Sequence, residues 1–115
     1  MADLKELTRR RKAAHQRLLD LDSKVYKAFL GMEEAAFSNH RLPKKQRELI
    51  AVGISVVIDC ESCMQWHIEQ AAASGATFDE VLAAVEVGME MGGGPATASA
   101  RFALEVMDSV FATEG

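Results

Sequence analysis

Cys60, Cys63 and His67 are the residues whose types and spacing could do covalent chemistry. On an α-helix of 3.6 residues per turn they fall within an arc of about 60°, so two thiols and an imidazole share one stripe. A Cys-x-x-Cys pair can close a disulfide when its first cysteine sits in the first turn, where the backbone can relax to bring the β-carbons within about 4.5 Å. The N–H groups and macrodipole of a helix start also stabilise a thiolate, the reactive form of the sulfur. His67 follows Cys63 by four residues, which sets its ring over the preceding turn and lets it serve as a base for that sulfur. Glu48 stands twelve residues before Cys60 on an earlier helix, and folding back would bring its carboxylate to the imidazole. Two other readings stand beside this one. The cysteines can be small buried hydrophobes, or they can join His67 and Glu48 as zinc ligands, although structural zinc prefers ligands from separated loops.

Helices are the elements that must position these groups. From Asp3 to about Phe37 a seam of Leu4, Leu7, Ala14, Leu18, Leu21, Val25, Ala28, Met32 and Ala35 recurs at alternating spacings of three and four, interrupted by Arg11. The spacing predicts a long N-terminal helix, with a possible break near Asp22-Ser23, packed along another helix of this chain or of a neighbour. Asn39 to Pro43 is punctuation, and Pro43 suits a first helical position. A second helix is expected from Pro43 to about Ile58, its apolar second half buried on most sides. After a short break near Asp59-Cys60 a third should run to Ser74-Gly75, where glycine can take the left-handed conformation. Thr77 and Glu80 carry a capping-box signature and start a fourth, with Val81, Leu82, Val85 and Met89 on its apolar face. Gly92-Gly93-Gly94-Pro95 ends it, and the last helix should run to about Phe111 with Ala98, Phe102, Leu104, Val106 and Phe111 inward. The fold class expected is all-α, a bundle of five to six helices.

The 115 residues suit one domain, with 49% hydrophobic and 26% charged residues and only two prolines. A net charge of -4 argues against non-specific nucleic-acid binding, which needs a surplus of Lys and Arg to neutralise phosphates. The longest apolar run, Leu49 to Ile58, is half of what a membrane span needs, about twenty residues. The charged stretch from Asp3 to Lys12 lacks the apolar region of a secretory signal, so a cytoplasmic protein is expected. There a closely spaced cysteine pair is more often catalytic or metal-binding than structural. Arg9-Arg10-Arg11-Lys12 has acidic neighbours along its helix and reads as a solvated or intersubunit face. His15 and His40 read as surface or capping residues, and Trp66 as core or interface packing. The methionines at 32, 64, 89, 91 and 107 read as fillers of packing gaps or of a subunit interface. Gly92 to Gly94 lacks the preceding strand and the Lys-Ser/Thr ending of a phosphate loop.

Glu48, Cys60-Glu61-Ser62-Cys63 and His67 together resemble the E-x11-C-x-x-C-x3-H signature of AhpD-like proteins in the carboxymuconolactone decarboxylase family. Ser74 to Val81 and Met91 to Ala96 are similar to that family's next helix and glycine-rich corner, and the resemblance covers roughly residues 42 to 105. Ser62 stands where longer, two-unit members often carry a histidine. The resemblance implies an all-helical fold assembling into homo-oligomers, trimers or hexamers. It also implies a thiol-dependent hydroperoxide reductase in which Cys60 and Cys63 cycle between dithiol and disulfide while Glu48 and His67 relay protons. A hydroperoxide substrate and a thiol or lipoyl-type reductant are the implied partners; no cofactor, resident metal, nucleic acid or membrane is expected. A reduction of a partner disulfide belongs to the same chemistry. The reading from a different class is a non-enzymatic oligomeric scaffold or redox sensor on the same fold.

Overall fold

Local capping signals set most of the helix ends. The computed structural model describes residues 3–112 and places six helices in them: α1 (Leu4–Asp20), α2 (Lys24–Ala36), α3 (Lys44–Val57), α4 (Glu61–Ala73), α5 (Phe78–Gly92) and α6 (Gly94–Phe111). The described residues contain no strand, only an isolated antiparallel bridge between His40 and Leu42. The chain is therefore all-α, at the upper end of the helix count expected. The Thr77 side chain accepts from Glu80 N while the Glu80 carboxylate accepts from Thr77 N, so both halves of the capping box form. That hydrogen bond from Thr77 N, helped by Lys45, holds the Glu80 carboxyl below the usual carboxylate range.

By its packing the chain divides after Ser38 into two units. In the first, the long helix expected from Asp3 to Phe37 is two helices. Asp22 turns the backbone into the left-handed region at φ 54°, which an Asp tolerates better than most residues, and the Ser23 side chain caps α2 by accepting from Tyr26 N. His15 is not a bare surface residue: its Nδ1 lies 2.6 Å from the Tyr26 hydroxyl, which ties α1 to α2. Neither helix has a buried residue. Leu21, Val25, Phe29 and Met32 of this unit are all exposed, Val25 at 83%.

The second unit has the core. Val52 and Val56 of α3, Met64, Ile68 and Ala71 of α4, Val81 and Val85 of α5, and Phe102, Ala103, Val106 and Met107 of α6 are its buried members. Each large side chain among them stabilises the unit by about 1.5–3 kcal/mol relative to exposure. Two of the methionines, Met64 and Met107, fill this core, whereas Met32 and Met91 are exposed. The α3 and α5 backbones meet at Gly88, where a Cβ would stand 2.7 Å from the Gly53 carbonyl oxygen, so a side chain there would force the helices apart.

Four expectations need correction. The second half of α3 is not buried on most sides, since Ile50, Ile54, Val57 and Ile58 are 53%, 54%, 44% and 61% exposed. Three neighbouring helices cover only the side bearing Val52, Ser55 and Val56. The bare side, with Ala84, Val87 and Met91 of α5, lines an open cleft of about 740 Å³. On α6 Phe102 and Val106 lie inside as expected, but Ala98 and Leu104 are exposed, and Ser99, Ala103 and Met107 complete the inner face. Trp66 is 36% exposed on α4, which removes the core half of its reading and leaves interface packing. Pro43 is the residue before α3 rather than its first; it offers no side-chain cap, and Asn39 Oδ1 accepts from Lys44 N at 3.0 Å instead.

Candidate functional site

The site begins at the turn from α3 to α4. Asp59 is left-handed at φ 54°, and the amides of Asp59 and Cys60 return to the carbonyls of Val56 (3.3 Å) and Ser55 (3.1 Å), which closes the end of α3. From α6 the Ser99 hydroxyl donates to Asp59 Oδ1 at 2.7 Å and pins the turn. The chain leaves this turn with Cys60 extended, at φ -102° and ψ 100°, as the residue that caps α4. Its Sγ accepts from Cys63 N at 3.3 Å, in the place a serine or aspartate oxygen occupies at other helix starts. A backbone N–H and the positive end of the helix thus both face the sulfur, which suits a sulfur bearing negative charge. Cys60 and Cys63 are both half-buried thiols.

One turn further along α4 comes His67, only 9% exposed. Its Nδ1 lies 2.7 Å from Glu48 Oε1 of α3, across nineteen residues of sequence. Glu48 is 1% exposed, and its other oxygen, Oε2, accepts from Lys44 Nζ at 2.7 Å. Each carboxylate oxygen of this buried group therefore has one partner. With Glu48 ionised, Nδ1 carries the proton and donates it to the carboxylate, which leaves the lone pair of Nε2 as the basic site of the ring. Cys63 and His67, four apart, lie on neighbouring turns of the same side of α4, with Cβ atoms roughly 5–6 Å apart.

The fold thus brings Glu48 to His67 and places the cysteine pair at a helix start. Among the described residues no group of three or more His, Cys, Asp or Glu side chains is set to hold a metal ion, so the zinc arrangement is not assembled. Two residues of this neighbourhood were not singled out from the sequence. Lys44 stands one turn before Glu48, a Lys-x3-Glu spacing that signals an ion pair on a helix. Ser99 gives no such local signal, because its partner Asp59 is forty residues away.

An all-helical chain whose fourth helix starts on a dithiol, backed by a buried carboxylate–imidazole pair, is the class this geometry defines. The chain belongs to the Carboxymuconolactone decarboxylase family, whose profile matches residues 23–106. That span reaches back to the Ser23 cap of α2, beyond the region of residues 42 to 105 in which the sequence resemblance is strongest. An uncharacterised protein of the cox locus of Paracoccus denitrificans is 36% identical over 83 residues, covering 72% of this chain and 75% of that protein. Among solved structures, the apo form of a family member from Legionella pneumophila is 28% identical at a TM-score of 0.75, covering 92% of this chain and 91% of that one. A Thermotoga maritima protein, solved twice, shares the fold at 22% identity, with TM-scores of 0.88 (96% of each chain covered) and 0.83 (96% and 92%). No helix among the described residues is long and apolar enough to cross a membrane.

Proposed function

We propose that this protein is a thiol–disulfide oxidoreductase of the AhpD-like type, which reduces hydroperoxides, or a partner disulfide, through Cys60 and Cys63. The observation that carries the reading is the 2.7 Å contact between His67 Nδ1 and buried Glu48, on the same helix side as a Cys-x-x-Cys pair. His67 Nε2 takes the proton of Cys63. The thiolate attacks a peroxide oxygen, so an S–O bond forms as the O–O bond breaks, and the departing alkoxide takes the proton back from the imidazolium as an alcohol. Cys60 Sγ then attacks the sulfenic sulfur; the S–S bond forms, the S–O bond breaks, and the hydroxide leaves as water with the Cys60 proton. Two thiols are oxidised by two electrons and the peroxide is reduced to an alcohol and water. A thiol or lipoyl-type dithiol restores the pair by exchange. The cytoplasm, where thiols are kept reduced, is the compartment this cycle needs. A role in defence against peroxides also agrees with the description of the Thermotoga protein as a candidate participant in an antioxidative response.

Mass spectrometry after mild peroxide treatment tests the reading. The peptide containing Cys60 and Cys63 is expected to lose two hydrogens, and retention of both thiols overturns the proposal.

Self-association belongs to the same proposal. Val25, Phe29 and Met32 of the first unit and Ile54, Val87 and Met91 along the α3/α5 cleft are exposed apolar side chains that association would cover. Light scattering is expected to give three or six times the 12.5 kDa of one chain, and a monomer at all concentrations refutes it. A scaffold or redox-sensor role would use the same surfaces, and turnover separates it from catalysis.

A further inference from the structure

The Glu48 carboxylate is almost wholly buried, yet it has a second partner that the dithiol cycle above does not use. Burial favours the neutral acid, and a protonated Glu48 would invert the site. Its O–H would donate to His67 Nδ1, the ring proton would move to Nε2, and the base facing the dithiol would be lost. Something must keep Glu48 an anion. Neutral His67 helps with one N–H but brings no charge. Among the described residues, the other group in hydrogen-bond contact with Glu48 is Lys44, whose Nζ lies 2.7 Å from Oε2. Its side chain is 37% exposed, so the ammonium keeps part of its hydration while facing a carboxylate that is 2% exposed. Two ionisable groups of these helix ends have other partners: Lys45 Nζ is paired with Glu80 of α5 at 3.0 Å, and Asp59 with Ser99 of α6.

We propose that Lys44 is a positioning residue that keeps Glu48 ionised and thereby fixes the His67 tautomer in which Nε2 is the base for the dithiol. It acts through Glu48 and touches neither sulfur nor substrate. The Asn39 side chain, by accepting from Lys44 N, sets the start of α3 and so the point from which the ammonium reaches Oε2. The inference rests on the dithiol reading for its consequence in turnover, but its structural claim about the imidazole stands apart from that reading.

The test compares the wild type with Lys44→Met, Lys44→Arg and Lys45→Met. In the reduced proteins, 15N NMR of the histidine rings at neutral pH is expected to show Nδ1–H for His67 in the wild type and in Lys44→Arg, and a shift toward Nε2–H in Lys44→Met. The rate of peroxide-driven disulfide formation at neutral pH is expected to fall about tenfold or more in Lys44→Met. The acid limb of its pH profile should move up, because the charge facing the buried carboxylate has been removed. Lys44→Arg should restore both the rate and the limb, and Lys45→Met should leave them as in the wild type. A Lys44→Met protein with the wild-type tautomer and pH profile overturns the proposal, as does a loss that Lys44→Arg fails to restore. Should the methionine variant not fold, Lys44→Gln undergoes the same measurements. If the wild type forms no disulfide, the dithiol reading fails, while the NMR comparison still decides the role of Lys44.

Discussion

Replacing Cys63 by serine is expected to lower peroxide consumption to the rate seen without protein and to abolish the disulfide with Cys60. A hydroxyl at this position is far too weak an acid for His67 to activate, and an oxygen cannot close the sulfur–sulfur bond that ends the cycle. The loss should be purely chemical. The hydrogen bond that caps α4 runs from the backbone N–H of residue 63 to Cys60 Sγ, so the side chain of residue 63 is not needed for it. A half-buried Cys→Ser exchange is worth about 1 kcal/mol or less in stability. Peroxide consumption with dihydrolipoamide as reductant, together with a thermal melt, separates the two effects. Undiminished consumption in Cys63→Ser, with only the assembly changed, would assign the thiols to a scaffold or sensor role.

Glu48→Gln is the second large effect expected, a fall of about 10²–10³-fold in the rate of disulfide formation. The amide has the shape of the carboxylate but not its charge. Its NH2 can donate to His67 Nδ1, which favours the tautomer with Nε2 protonated, and the base is lost. Stability should fall by about 1–3 kcal/mol, since Oε2 no longer offers Lys44 a counter-charge. That ammonium is already partly exposed and can turn to water, which keeps the cost below that of a stranded buried ion. Rates within twofold of wild type, in a variant that melts as expected, would remove Glu48 from the chemistry. A Lys44→Met effect smaller than that of Glu48→Gln is what an indirect role demands.

Most of the helix ends were legible because their signals act within one turn. Asp22-Ser23 marks the break between α1 and α2, Thr77 and Glu80 write both halves of a capping box, and Gly93 turns the corner into α6 at φ 72°. The alignment of Cys63 with His67 needs only 3.6 residues per turn, whereas Cys60 is the extended residue that caps α4. Burial was less legible. The run from Leu49 to Ile58 is apolar on all sides, and such a run does not reveal how many neighbours a helix has. Only the packed unit shows that Val52 and Val56 face inward while Ile50 and Ile54 line an open cleft. Leu104 and Ala98 were misread for a related reason, because alanine-rich α6 offers several stripes that are nearly equally apolar.

The sequence alone, then, determined the spacing of two cysteines and a histidine at a helix start; that Cys60 caps α4 in an extended conformation, with Cys63 and His67 on one side of the helix, came with the structure. So did what surrounds them. The 2.7 Å contact of Glu48 with His67 and the link from Ser99 to Asp59 span nineteen and forty residues, and both depend on the distances at which α3, α4 and α6 pack. Periodicity fixes which face of a helix a side chain occupies. The side chains buried between two helices fix how close those faces come, and at hydrogen-bond range a shift of about an ångström decides whether a carboxylate and an imidazole are joined.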